Sequence, residues 1–246
     1  MNENERRQVY GPWARFLRAM ARIFLYFWEV DDPCESPCVY VVHHRNMFGP
    51  IHSLLLLRDT PRPWVLAVFL DRQSCFDHYY HYTFTQRFGW PRFAAYMAAG
   101  VLSWVVPGTL RSFGAIPVYR DLHRTKQTMR DTVEALLRGE SVLLCPDVAY
   151  ESRDAATGKI YKGFFRLDKP FREHMGRPLR FIPVFCSRQS RIVTGEAVCC
   201  SEPIPTLCTR ALRDEAARKM VESLNALAVQ AEREVDKPAR FRRQSA

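Results

Sequence analysis

The chain lacks the marks of several large protein classes. Its eight cysteines form no pairing framework: Cys34 and Cys38 lie far from the adjacent Cys199 and Cys200, with Cys75, Cys145, Cys186 and Cys208 scattered between. That spread argues against a disulfide-stapled secreted scaffold and for a reduced compartment. A zinc site from Cys34, Cys38, Cys199 and Cys200 is disfavoured, because two cysteines in immediate succession are awkward tetrahedral ligands. The stretch "CFDHYYHYTF" carries Cys75, His78 and His81 at helical spacing but offers no clear fourth ligand, so it reads as a polar and aromatic helix face, and no metal is expected. Internal repeats are absent, and the one low-complexity feature is the basic end "RFRRQSA", which reads as a frayed tail. The opening "MNENERRQVYGPW" is charged and is not followed by an apolar stretch with a small-residue cleavage site, so an intracellular protein is expected.

Acidic residues are in the minority. The 26 Asp and Glu against 36 Lys and Arg leave a net charge of +10, which favours an anionic partner: nucleic acid, an acidic membrane or a phosphate-bearing substrate. No helix-turn-helix, zinc finger or aromatic ribonucleoprotein motif accompanies the charge, and nucleic acid is set aside. At 246 residues and 47% hydrophobic, the chain is long enough for one sizeable core or two small ones, and one domain is expected.

What is present begins with "WARFLRAMARIFLYFWEV". Trp13, Phe16, Leu17, Met20, Phe24, Phe27 and Trp28 recur at helical spacing with Arg15, Arg18 and Arg22 between them, the pattern of an amphipathic helix suited to an anionic membrane interface. The uncharged stretch Phe93 to Leu110 just reaches the ~18 residues that suggest a membrane span, but Gly100, Pro107 and Gly108 interrupt it, and a buried or interfacial helical hairpin is expected there. Elsewhere strands such as "CVYVV", "PWVLAVF", "AIPVY", "SVLLC", "RFIPVF" and "RIVTGEAV" alternate with helices, including "RTKQTMRDTVEALLRGE" and a long one from Leu207 to about Val235. Such alternation implies an α/β fold with a mixed, mostly parallel sheet flanked by helices. The expected organisation is an N-terminal membrane-associating helix over residues 1–32, an α/β domain over 33–204, and a C-terminal helix with a basic tail over 205–246.

In "VVHHRNMFGP", His43 and His44 follow an apolar strand and precede a helix, which places them at the carboxyl edge of the sheet, where α/β proteins bind their ligands. From this stretch alone, His44 is either a turn residue or a reacting group. Four blocks decide the expectation. "HHRNMFG", His43 to Gly49, resembles the Asn-His-x-Ser-x-x-Asp motif of the glycerolipid acyltransferases. "GAIPVYR", Gly114 to Arg120, is similar to that family's Gly-x-Ile-x-Ile-Asp/Glu-Arg motif. "CPDVAYESR", Cys145 to Arg153, followed by "YKGFFRL", corresponds to Phe-Pro-Glu-Gly-Thr-Arg-Ser and its trailing Lys-Gly, and "FIPV" matches the family's last strand.

The resemblance implies an acyltransferase-like α/β fold and transfer of an acyl group from acyl-CoA or acyl-carrier protein, as co-substrate and without a cofactor, to a glycerophosphate or lysophospholipid hydroxyl. It makes His44 the general base, a role matched to an imidazole's near-neutral pKa. It makes Arg120 a phosphate ligand, with Arg153 and Lys162 as further candidates, and gives His43 and Asn46 substrate-binding or loop-shaping roles. It implies work at the cytoplasmic face of a membrane, peripheral or monotopic. The sequence departs from the family in three places: Gly49 stands where the orienting aspartate belongs, Tyr119 replaces the acid before Arg120, and Asp147, Val148, Ala149 and Tyr150 replace Glu-Gly-Thr-Arg. Asp147 is the candidate substitute carboxylate, expected to converge on His44 from a neighbouring strand. The alternative is a protein that keeps the fold and binds a lipid or acyl-thioester without turnover.

Overall fold

The computed structural model describes residues 9–32, 36–149, 151–199 and 210–233. In chain order the elements are α1 (Pro12–Phe24), β1 (Glu29–Val30), β2 (Val39–Val42), α2 (Phe48–Leu56), β3 (Arg62–Leu66), α3 (Arg72–Asp77), α4 (Arg92–Ser112), β4 (Ile116–Val118), α5 (Leu122–Leu137), β5 (Val142–Leu144), α6 (Asp168–Met175), β6 (Phe181–Ser187), β7 (Arg191–Thr194) and α7 (Arg210–Arg233), with a π-helix over His78–Arg87 continuing from α3. Two compact units share them. Of the described residues, one comprises those in 9–19 and 62–132, the other those in 20–61 and 133–233.

The second unit carries five strands in the order β1-β7-β6-β2-β5. β2 pairs in parallel with β5 on one side and β6 on the other, β1 pairs in parallel with β7, and β6 and β7 run antiparallel. The central strands are apolar because both faces are covered: all four residues of β2 and all seven of β6 are buried. From α7, Leu227, Ala228 and Ala231 pack on Phe185 of β6 and Val193 of β7.

The first unit holds the parallel pair β3 and β4, with Trp64 opposite Ile116 and Leu66 opposite Val118. The chain is thus an α/β protein with mixed, mostly parallel strands flanked by helices, as its alternation predicts. Two local readings differ. On α5, the helical period predicts a packed face of Met129, Val133, Leu136 and Leu137, of which Leu136 is fully buried and the other three half-buried, whereas the buried positions within this unit are Thr128 and Thr132. Their hydroxyls are satisfied there: Thr128 donates to the Pro117 carbonyl at 2.7 Å, Thr132 to the Thr128 carbonyl at 2.6 Å, and the Trp64 indole donates to Thr132 at 2.9 Å.

The second difference is larger. The stretch expected to fold as a hairpin is one continuous helix, α4, which runs through Gly100, Pro107 and Gly108. A buried stripe of small residues, Ala95, Ala99, Ser103 and Pro107, recurs every fourth position. Ala95 and Ala99 pack against Phe84, with Phe76, Tyr79 and Tyr80 around them. The packing outweighs the helix-breaking propensities.

α1 is amphipathic as expected, with Trp13, Phe16, Ile23 and Phe24 exposed. Arg18, however, faces inward: it is 5% exposed and its guanidinium lies 5.2 Å from the Tyr10 ring. That pairing covers the charge with an aromatic face.

Candidate active site

The histidines sit where parallel pairing puts them. β2 and β5 are in register with Val41 opposite Leu144. Three residues further along both strands, the same register sets His44 opposite Asp147 at the carboxyl edge. The Asp147 carboxylate does reach that strand end, but it holds His44 by the backbone: Oδ2 accepts from the His44 amide at 2.9 Å. Its other oxygen, Oδ1, lies 2.8 Å from His43 Nδ1. The expectation that Asp147 would orient the His44 ring is therefore corrected. The imidazole it orients belongs to His43.

His43 is 2% exposed, and its second ring nitrogen is also engaged, with Nε2 3.0 Å from the Asp154 carbonyl. Its ring stacks on Phe185 at 6.3 Å between centroids. With Nδ1 on a carboxylate and Nε2 on a carbonyl, the ring's hydrogen bonding is taken up inside the protein. His43 is thus a clamp that ties β2, Asp147 and the 151–154 loop together.

His44 is half-buried, and its Nδ1 accepts from the Met47 amide at 3.2 Å. In that arrangement the neutral ring carries its proton on Nε2. The turn that creates this contact is unusual: Arg45, Asn46 and Met47 have φ of 41, 52 and 73°, three successive left-handed residues without a glycine. Each such residue costs roughly 1–2 kcal/mol, less for asparagine, so the turn persists only because its surroundings over-determine it. Arg45 supplies much of that restraint. It is 7% exposed, donates to the Cys186 carbonyl at 3.1 Å and lies 5.2 Å from the Phe185 ring. Asn46, half-buried in the middle of the turn, is the residue type best suited to φ above zero.

Gly49 has a packing reason. A Cβ there would lie 1.9 Å from the His43 carbonyl oxygen and 3.0 Å from Val42. The first turn of α2 rests directly on the end of β2, and no side chain fits between them. The backbone thus requires glycine at this position.

Two thiols border this cluster. Burial pushes Cys186 up to about 12, against the smaller opposing effects of its Ser53 hydrogen bond and the Arg45 charge. Cys145 is driven well above its ordinary range by desolvation and then by the negative charge of Asp147. Both remain thiols at neutral pH, which removes them as nucleophiles.

Arg153 is exposed on the loop whose next residue, Asp154, holds His43; Ser152 beside it bonds the Asp154 carboxylate at 3.0 Å. Lys162 is ion-paired with Asp214 of α7 at 2.9 Å, both partly exposed, and that bond holds Asp214 below the usual carboxylate range. Lys162 thereby anchors the chain after Asp147 to α7.

Arg120 lies in the first unit, on a cavity of about 700 Å³ that it lines together with His78, Arg124, Asp71 and Tyr119, with Leu66 among its apolar walls. Arg124 stacks on Tyr119, 4.0 Å from the ring centroid. Asp71 is committed to capping α3 through the Ser74 amide and hydroxyl, both at 2.9 Å. His78 is held below its ordinary value by burial and then by the Arg120 charge, so it lines the cavity as a neutral ring near pH 7. Cys75, also read as part of that helix face, is buried. Cys34 and Cys200 lie outside the described residues.

Of the expected site residues, the structure gathers His43, His44, Asn46 and Asp147 at one strand edge, with Arg153 on the adjoining loop. Arg45, Asp154 and Arg124 were not anticipated. The only signal for Arg124 was its place four residues after Arg120, at the start of the predicted helix. Comparison with known proteins returns no match: no family model, no curated protein and no solved structure is similar to this chain.

Proposed function

We propose that this protein is a membrane-associated acyltransferase of the glycerolipid type, with an acyltransferase-like fold, that moves an acyl group from acyl-CoA or acyl-carrier protein to the hydroxyl of a glycerophosphate or lysophospholipid. The observation that carries the reading is His44: a half-buried imidazole at the carboxyl edge of β2, on a strained turn whose backbone Asp147 fixes at 2.9 Å. His44 takes the acceptor's hydroxyl proton, the oxygen attacks the thioester carbonyl, and the tetrahedral intermediate expels the thiolate, which recovers the proton from the imidazolium. Arg153, on the loop that adjoins this strand edge, supplies guanidinium charge for the acceptor phosphate. An anionic membrane surface is the partner, approached from the cytoplasmic face.

The geometry also sets the pace. To accept a proton at Nε2, the ring adopts the Nδ1–H tautomer and gives up its Met47 bond, at a cost of about 1 kcal/mol. Both Asp147 oxygens serve the His44 amide and the His43 ring instead, and loss of an orienting carboxylate costs roughly 10⁴ in rate in serine proteases, so slow turnover is expected. The test is mass-spectrometric detection of acylated product from wild type and His44→Ala. Alanine keeps the backbone amide that Asp147 holds, so the substitution removes the ring and leaves the turn.

One observation favours a second reading, a non-catalytic lipid or acyl-thioester binding protein: Gly49 leaves no room for the orienting aspartate, and both Asp147 oxygens have other partners. Saturable acyl-CoA binding without product would select it.

A further inference from the structure

From His78 to Arg120 the chain carries four arginines and not one carboxylate. Within that stretch lies α4, whose two faces differ sharply. The small-residue stripe from Ala95 to Pro107 is buried, while Phe93, Tyr96, Met97, Val101, Trp104 and Val105 are each more than half exposed. Only 22% of its most apolar 18-residue window is buried, whereas the core helix of a water-soluble protein would be mostly covered. The apolar surface extends beyond the helix. Phe88 and Trp90 before it are 51% and 43% exposed. Beside its other end, Trp13 of α1 donates to Thr109 at 3.0 Å and stacks on the exposed Phe16.

We infer that the exposed face of α4, with Phe88, Trp90, Trp13 and Phe16, is a monotopic insertion surface for an anionic lipid leaflet, in which α4 lies along the membrane plane. Length and composition alone would let α4 span a bilayer. Its packing favours the in-plane arrangement. The buried stripe rests on the aromatic wall of the π-helix and α3, so an upright α4 would draw Asp71, Arg72 and Asp77 into the hydrocarbon. The charges complete the fit. Arg92 and Arg111 bracket α4, Arg87 lies beside Phe88 at 5.5 Å, and Arg72 sits 3.6 Å from the exposed Trp104 ring. Aromatic side chains at the acyl boundary with arginines at head-group level form an interfacial pattern, and the missing carboxylates remove repulsion from anionic lipids. The inference rests on the membrane association proposed above, but not on acyl transfer.

The test is flotation of the full chain with phosphatidylcholine vesicles, with and without added phosphatidylglycerol, and quenching of tryptophan fluorescence by brominated acyl chains. The wild type should float with anionic vesicles, release as salt rises and be quenched. Val101→Glu, at a 61% exposed position, should lower vesicle partition by about tenfold or more while its circular dichroism and melting stay unchanged. Phe93→Ser, on the same face, gives an independent reading should Val101→Glu fail to fold. Wild type that stays with the protein fraction overturns the inference, as does unchanged flotation of a folded variant. A variant that alters only the size of the protein in gel filtration overturns it in favour of contact between two copies. Acyl transfer to glycerophosphate in detergent tests the catalytic reading separately.

Discussion

Replacing Asp147 by Asn removes a carboxylate that is 6% exposed and accepts on both oxygens. The amide offers one acceptor and one donor. If its oxygen serves the His44 amide, its NH2 faces His43 Nδ1; if it turns over, the NH2 faces the His44 N–H, donor against donor. The first arrangement is satisfied, with His43 accepting at Nδ1 and donating from Nε2 to the Asp154 carbonyl, so what is lost is the carboxylate charge: two charge-assisted bonds become neutral ones, a net loss of roughly 2–3 kcal/mol. For a chain of this size that lowers the melting temperature by about 4–12 °C, readable by circular dichroism or differential scanning calorimetry. Acyl transfer should fall in parallel even below the melting range, because the turn bearing His44 loses its anchor. A variant melting within about 1 °C of wild type would refute the claim that Asp147 is the clamp of this strand edge.

Gly49→Asp, which installs the carboxylate found in the motif that this stretch resembles, should destabilise rather than activate. Its Cβ would lie 1.9 Å from the His43 oxygen, and displacing α2 costs at least the ~1–3 kcal/mol of ordinary overpacking; thermal melting and product assay together check it. Arg153→Ala should raise KM for a phosphate-bearing acceptor while leaving that for acyl-CoA within about twofold, and an equal rise in both would remove Arg153 from the acceptor site. The raised Cys186 thiol sets a pH dependence. The folded state holds its proton more tightly than the unfolded chain, so this contribution to stability is complete below about pH 9 and is lost as pH rises towards about 12. Site-resolved alkylation of the native protein at pH 8 should accordingly leave Cys186 unmodified, and rapid labelling there would contradict its burial.

Strand positions and the class of fold were legible because apolar runs bounded by turn residues have few alternatives, as "RFIPVF" and "SVLLC" illustrate. Asp147 could be placed at the right sheet edge for the same reason: it follows a strand end, as His44 does. Which atoms it would meet could not be read. That depended on the parallel register of β2 with β5, which brings the carboxylate to the His44 amide and the His43 ring, and register is a property of two distant segments. Gly49 read as a lost catalytic group, whereas three-dimensional proximity to the His43 carbonyl shows why only glycine fits. Pro107 and Gly108 read as breakers, because local propensity carries no information about the aromatic wall that α4 packs against. Arg18 read as a head-group ligand by helical period alone, yet Tyr10, outside the helix, turns it inward.

The measurement that bears most directly on the central claim is product formation by the detergent-solubilised full chain, given a panel of acyl-CoAs with glycerophosphate and lysophospholipid acceptors, beside His44→Ala. Slow acylation by wild type, absent from a His44→Ala variant that melts at the wild-type temperature, is the predicted result. Equal product from both proteins would contradict His44 as the base; no product from either, with acyl-CoA still bound, would contradict acyl transfer itself.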